Sequence, residues 1–160
     1  MELASEHSRN SNYPRKEESG SKMNNTIKWS HQHLSSKIKE IQILQHEEGH
    51  IKDIHVRYEK GEPKKYDQSG PKLKYQIFSC SEDEFVKNIE GAFADGYLQY
   101  IIITSNHRRV EKYGNLEFEQ GGEGEHFEFE VGEREFPGGL FGETDEKGIR
   151  RLGCYIHRDN

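Results

Sequence analysis

Apolar residues in this chain fall in short runs that alternate with polar ones, and one run stands apart. From Gly96 to Asn106 the sequence reads Gly-Tyr-Leu-Gln-Tyr-Ile-Ile-Ile-Thr-Ser-Asn. In an extended chain Leu98, Tyr100 and Ile102 point one way and Tyr97, Ile101 and Ile103 the other, so both faces need cover. β-Branched and aromatic residues dominate it, and Ser105-Asn106 closes it with turn formers; the pattern predicts a strand inside a sheet rather than a helix.

Shorter segments of the same kind surround it. Ile41 and Ile43 alternate with Glu40 and Gln42, Glu48-Gly49 turns the chain, and Ile54, Val56 and Tyr58 alternate with His55 and Arg57, which is a hairpin signal. Leu73, Tyr75 and Ile77 predict a further strand after a polar loop broken by Gly61, Pro63 and Gly70-Pro71. Phe85, Val86 and Ile89 fit a strand ending at Gly91, Phe127, Phe129 and Val131 another, and Leu152, Cys154 and Ile156 the last. Residues 106 to 114 read as a charged loop, and Leu116 and Phe118 as the start of an extended segment. The sum is about ten short strands at intervals of roughly 8 to 12 residues, with no helix, which predicts an all-β sandwich, barrel or prism.

Composition divides the chain in two. Of 160 residues only 31% are hydrophobic and 32% are charged. The polar residues concentrate in residues 1 to 30, where Met23, Ile27 and Trp29 are nearly the only large apolar side chains. Such a segment cannot offset its own ordering entropy, which predicts an N-terminal tail or partner-ordered arm over 1–30 and a folded domain over 31–160. A net charge of -6 argues against nucleic acid and acidic membranes as partners. No apolar run approaches the roughly 20 residues that span a bilayer, and the opening residues lack a secretion signal, so an intracellular, cytoplasmic protein is the expectation. Cys80 and Cys154 stand far apart, outside any C-x-x-C pair, and read as small buried hydrophobes.

The order of these segments resembles the jacalin-related lectin family. The likeness runs from about Ile38 to Ile156 and is carried by Ile38-Lys39-Glu40-Ile41 with Ile51-Lys52-Asp53-Ile54, by Asp83 to Gly91, by the central strand with Thr104-Ser105-Asn106 and Tyr113-Gly114, by Gly139-Leu140-Phe141-Gly142, and by Leu152 to Ile156. It implies a β-prism of three four-stranded antiparallel sheets and sugar binding by loops at one end. Family members hold sugar with a glycine-rich first loop and a Gly-x-x-x-Asp loop, whose carboxylate accepts from adjacent hydroxyls. Counted back from Gly153, the Asp position here is Arg150 and the Gly position Glu146, with one extra residue in the loop. The first loop, placed at Trp29 to Ser36, contains no glycine.

Two functional readings follow. The first is a non-catalytic binding or scaffold module with an eroded sugar site, an accessory subunit of a larger intracellular assembly, docking a protein partner through Ile27 and Trp29 of the arm and through Arg108 and Arg109. The second is a lectin for mannose-like or galactose-like glycans, with a loop rebuilt from Gly142, Thr144, Asp145, Glu146 and Arg150. Neither needs a cofactor or a metal. His31-x-His33 and the pair His46 and His50 lack further ligands, and the glutamates alternating with Phe127 and Phe129 form a line rather than a point. No nucleophile elbow or phosphate-binding loop is present, so an enzyme is not expected.

Overall fold

A computed structural model describes residues 15–20, 27–32, 36–59, 74–122 and 124–159. It is an all-β prism. The strands are β1 (Arg15–Gly20), β2 (Ile27–Gln32), β3 (Ile38–Gln45), β4 (Ile51–Tyr58), β5 (Lys74–Ser79), β6 (Val86–Ala94), β7 (Tyr97–Ser105), β8 (Val110–Gly114), β9 (Glu125–Glu128), β10 (Glu135–Thr144) and β11 (Ile149–Arg158), and one short helix, α1 (Glu117–Gly121), lies between β8 and β9. They form three antiparallel sheets in the orders β1-β11-β10-β2, β4-β3-β5 and β8-β7-β6-β9. The second sheet thus has three strands, not four, among the described residues. No helix there is long and apolar enough to cross a membrane.

One face of each sheet turns inward onto a common core. Ile41, Ile43, Ile54 and Phe78 come from the second sheet, Ile89, Leu98, Ile101 and Ile103 from the third, and Leu140, Leu152, Cys154 and Ile156 from the first. All are buried, because an alternating strand delivers every second side chain to the same face.

Four strands break that alternation in the same way. β3, β4, β6 and β11 each begin with a buried residue, two half-buried ones and a second buried one. The sequences are Ile38-Lys39-Glu40-Ile41, Ile51-Lys52-Asp53-Ile54, Val86-Lys87-Asn88-Ile89 and Ile149-Arg150-Arg151-Leu152. The partner register skips one residue each time, leaving Lys39, Lys52, Lys87 and Arg150 unopposed. A β-bulge places an extra residue in one strand and re-aims its side chain. Here the re-aimed side chain is always a long cation that ties down a neighbouring loop. Lys39 Nζ donates to the carbonyls of Ser81, Glu82 and Glu84 at 2.7, 2.9 and 2.5 Å. Lys87 Nζ donates to those of Gly132, Glu133 and Glu135 at 2.9, 3.2 and 2.6 Å, and Lys52 Nζ to that of Glu146 at 2.5 Å.

Several expectations need correction. Residues 15–20 and 27–30, which composition assigns to a tail, lie in the two edge strands of the first sheet, β1 and β2. Arg15 pairs with Ile156 and Trp29 with Gly142, so backbone bonding to the C-terminal strands supplies what the side chains do not. The predicted first loop at 29–36 falls partly on β2; the connection of β1 to β2 is residues 21–26, outside the described residues. Residues 110–114, read as loop, are strand β8; Leu116 is the N-cap residue of the helix and Phe118 lies within it, with Glu117 and Glu119 in its first turn. Those two apolar residues cover Ala92, Tyr100 and Ile102 on the outer face of the third sheet.

The facing of β7 also differs. Ala92 pairs with Tyr100 but Phe93 with Leu98, so Gln99 is unopposed. This bulge turns Leu98 to the core side with Ile101 and Ile103, leaving Tyr100 and Ile102 beneath the helix. Ile103→Ala should therefore destabilise the domain by about 2–5 kcal/mol, the range for truncating a buried aliphatic side chain. Ile102→Ala, under thinner cover, should cost less, and urea denaturation of the two variants gives the order.

A second lock joins two sheets. Glu84 is buried and takes hydrogen bonds from Arg109 Nε at 3.0 Å and from the Ser81 amide at 3.1 Å. The Arg109 guanidinium, then the Ser105 hydroxyl, lower its carboxyl from 4.5 to about 2, against the opposing effect of burial. Arg109 also lies over the Phe78 ring at 4.1 Å and donates to the Ser79 carbonyl at 2.7 Å. A carboxylate whose folded pKa is depressed adds stability above its ordinary pKa and loses it as pH falls toward the folded value. The stability advantage of the native chain over Glu84→Gln should accordingly be full above pH 4.5 and shrink as pH falls toward about 2, as followed by denaturant titration at stepped pH.

Candidate functional site

One end of the prism gathers the β10–β11 turn, the β6–β7 hairpin, the β3–β4 turn and the end of β1. Arg150 sits among them at its bulge. Its Nε lies 3.6 Å from Asp145 Oδ2, and its guanidinium lies 4.7 Å from the centre of the Tyr97 ring. A Cβ added at Gly96 would come within 2.9 Å of Arg150 Nη1, so the hairpin passes directly under the guanidinium.

Asp145 is occupied by its own turn. Its Oδ1 accepts from the amides of Lys147 at 2.9 Å and Gly148 at 3.1 Å, and its Oδ2 from the Tyr97 hydroxyl at 2.9 Å. Burial pushes its carboxyl upward, but these donors together with Arg150 bring it below the usual carboxylate value. The Tyr97 hydroxyl is displaced upward in turn, by burial and then by its bond to Asp145. Of the remaining loop residues proposed from sequence, Thr144 ends β10, and Glu146 is exposed with its carbonyl held by Lys52. Gly142 is buried, and a Cβ there would meet the Arg151 carbonyl at 2.4 Å and the Trp29 ring at 2.8 Å. These residues share one turn, but Gly142 faces the interior rather than the mouth of a site.

The four residues proposed for partner contact are not brought together. Trp29 packs against the core, and the Ile27 backbone pairs with Thr144. Arg109 is engaged by Glu84 at the opposite end of β7, beside the exposed Arg108. His46 and His50 meet as a stacked pair with centroids 4.5 Å apart, while His31 is in β2 and His33 lies outside the described residues. Among the described residues no group of three or more His, Cys, Asp or Glu side chains is placed to hold a metal ion.

Sequence reasoning missed the hairpin. Asp95 (φ 55°) and Gly96 (φ 84°) form a two-residue turn with both residues left-handed, which Asp-Gly accommodates. The Asp95 carboxylate is exposed and makes no hydrogen bond or ion pair among the described residues. It lines a cleft of about 340 Å³ together with Gly20, Phe93, Glu125 and Arg150. Glu125, at the start of β9, is likewise exposed and unpaired among the described residues. The Asp-Gly pair between two apolar runs was the available signal. It marks a hairpin in any sequence, so it did not single out a site.

Across the hairpin lies a second cleft of about 230 Å³, which Asp95 also lines, with Glu48, His50, Tyr97, Gln99 and Phe118. His50 stacks on Tyr97 with centroids 5.1 Å apart and bonds the Lys147 carbonyl through Nε2 at 2.7 Å. Burial holds its imidazole below the ordinary value, against the opposing effect of that bond. Gln99 is buried at the bulge, donating to the Ala94 carbonyl at 2.7 Å and accepting from Asn115 at 3.0 Å.

A three-sheet prism with loop clefts at one end defines a lectin fold, and the chain belongs to the Jacalin-like lectin domain family, whose model matches residues 17–155. That match begins inside β1, within the segment read as a tail. Solved structures agree on the fold. A prostate-specific WGA16 glycoprotein lectin is 20% identical with a TM-score of 0.68, over 90% of this chain and 100% of that one. The Calystegia sepium agglutinin is 20% identical with a TM-score of 0.67, over 91% and 99%. A mannose-binding lectin from Champedak is 18% identical with a TM-score of 0.67, over 91% and 97%. No curated protein matches the sequence.

Asp145 should matter to the fold of this end more than to any ligand. Asp145→Ala removes the acceptor of two turn amides and of Tyr97 and leaves Arg150 without its carboxylate, so a loss of about 1–3 kcal/mol is expected in chemical denaturation.

Proposed function

We propose that the chain is a non-catalytic, lectin-type binding module whose ligand contact has moved from the last loop to the β6–β7 hairpin. The observation that carries this reading is the state of Arg150. It stands at the Asp position of the family's sugar loop, at a bulge, and there it does what Lys39, Lys52 and Lys87 do at theirs: it fastens a loop. A guanidinium only donates, so it cannot accept from sugar hydroxyls as a carboxylate does. Asp145, the nearest carboxylate, is already filled by donors of its own turn. Two exposed acceptors without a partner among the described residues, Asp95 and Glu125, instead line the same cleft as Arg150.

Membership of a lectin family, and a fold neighbour described as mannose-binding, support a glycan as the ligand. The second reading, a scaffold or accessory subunit that binds no sugar and docks a protein partner, is favoured by the same Arg150 if the hairpin acceptors are only solvated. A glycan array followed by titration calorimetry separates the two. Binding at micromolar affinity that falls at least tenfold in Asp95→Asn and is unchanged in Asp145→Asn supports the lectin reading, since asparagine also accommodates the left-handed turn position. No binding to mannose-type or galactose-type glycans overturns it in favour of the scaffold.

A further inference from the structure

A third cleft, of about 680 Å³, opens at the other end of the prism, where β1 and β6 begin and the chain passes from β9 to β10. It lies between the edges of two sheets, since β1 is an edge strand of the first sheet and β9 an edge strand of the third. Arg15, Lys87, Asn88, Glu128, Glu130 and Glu135 line it. None of them lines either cleft beside the β6–β7 hairpin.

The cations on its walls are turned to the protein itself. Lys87 directs its ammonium at the carbonyls of Gly132, Glu133 and Glu135. Arg15 divides its guanidinium among the Glu17 and Glu135 carboxylates and the Glu130 carbonyl. Two carboxylates beside them are matched less well. Alternation continues past the end of β9: Phe129 is buried, with its amide bonded to the Ile89 carbonyl at 3.1 Å, while Glu128 and Glu130 on either side of it are exposed. The Glu130 carboxylate makes no hydrogen bond or ion pair among the described residues. Glu128 accepts from Asn88 Nδ2 at 2.9 Å, but its partner across the strands is another glutamate, Glu90. Like charges directly opposite each other on paired strands repel. Burial and then Glu128 push the Glu90 carboxyl above its usual value, and His126, 3.8 Å from Glu90, answers the repulsion only when protonated. Asn88 Oδ1 is buried and meets no donor. The wall is rich in acceptors and poor in donors, and an incoming cation would relieve a repulsion that the fold leaves in place.

We propose that this cleft docks an extended, arginine-bearing segment of a partner protein, with guanidinium groups set against Glu128 and Glu130. A guanidinium offers a planar fork of donors that meets a carboxylate through two parallel hydrogen bonds, which an ammonium cannot do. In an extended chain, residues two apart stand about 6–7 Å from each other on the same face. Arginines at alternate positions of such a segment therefore match the spacing of the two glutamates. The line of glutamates alternating with Phe127 and Phe129 thus gains a use as a charged rail. This site goes beyond the lectin-type reading and does not depend on it, because it lies at the opposite end of the prism.

Fluorescence anisotropy of the full chain with a labelled Arg-Ser-Arg-Ser-Arg peptide, and with its lysine and glutamate counterparts, tests it at low ionic strength, where exposed charges are least screened. The arginine peptide should bind at micromolar affinity, about threefold or more tightly than the lysine peptide, and the glutamate peptide should not bind. Glu130→Gln and Glu128→Gln should each weaken the arginine peptide about fivefold or more. Glu48→Gln removes the same charge from an exposed position at the loop end and should leave the affinity unchanged. The Glu130 carboxylate has no partner among the described residues, so Glu130→Gln should keep the native melting temperature, and its loss of binding then cannot come from unfolding. Equal losses in Glu48→Gln and Glu130→Gln would mean attraction to net charge alone and overturn the site. So would full binding in both Glu128→Gln and Glu130→Gln, equal binding of the lysine peptide, or no binding of the arginine peptide. Each of these failures leaves the lectin-type reading untouched, since that reading is tested with glycans at the other end.

Discussion

The closure of the first sheet holds the molecule together. β1 and β2 come from the start of the chain and β10 and β11 from its end, and they form one sheet, with β11 and β10 at its centre and the N-terminal strands at its edges. Every contact in it joins residues far apart in sequence, except those between β10 and β11. A prism needs three walls, and the buried row Leu140, Leu152, Cys154 and Ile156 is one of them. Without it the inward faces of the other two sheets would lie open to water. The loops that form the clefts hang from the same closure, since Gly20 of β1 and Arg150 of β11 meet in one of them: a Cβ at Gly20 would stand 2.4 Å from the Arg150 carbonyl.

Much of this was legible in the sequence, and the failures have physical reasons. Alternation found β3, β4, β6, β7 and β11 because their inward residues are large and aliphatic. It missed β1, which carries Arg15, Lys16, Glu17 and Glu18, because an edge strand bonded through its backbone needs little apolar surface of its own. It turned Leu98 to the wrong face because period two assumes no bulge, and Gln99 is one. The signal for the other bulges was present in the aliphatic residues spaced by three in Ile38-Lys39-Glu40-Ile41 and its counterparts. Strict alternation had no place for that spacing.

For the site, sequence comparison located Arg150 at the family's acceptor position but left its role open. The geometry gives that role: Asp145 and Tyr97 hold the guanidinium, and it spans the gap between the last turn and the hairpin. Neither Asp95 nor Glu125 belongs to a segment that carries the family resemblance in this sequence. Asp95 is brought to the cleft by a hairpin and Glu125 by the strand that pairs with Phe93, so only the folded chain sets them side by side.

The bulged lysines set a chemical condition on their positions. Lys39 and Lys87 each direct one ammonium at three carbonyl oxygens that belong to a single turn of chain. A pyramidal ammonium with three diverging N–H bonds can meet three acceptors gathered around its tip, whereas a guanidinium spreads its donors in a flat fork. Arginine would keep the charge at either position and lose the convergence. Acetylation would remove the charge and two of the three donors at once. The chain thus folds two of its loops around a cation that it carries itself, in the manner of a loop wrapped around a bound metal ion.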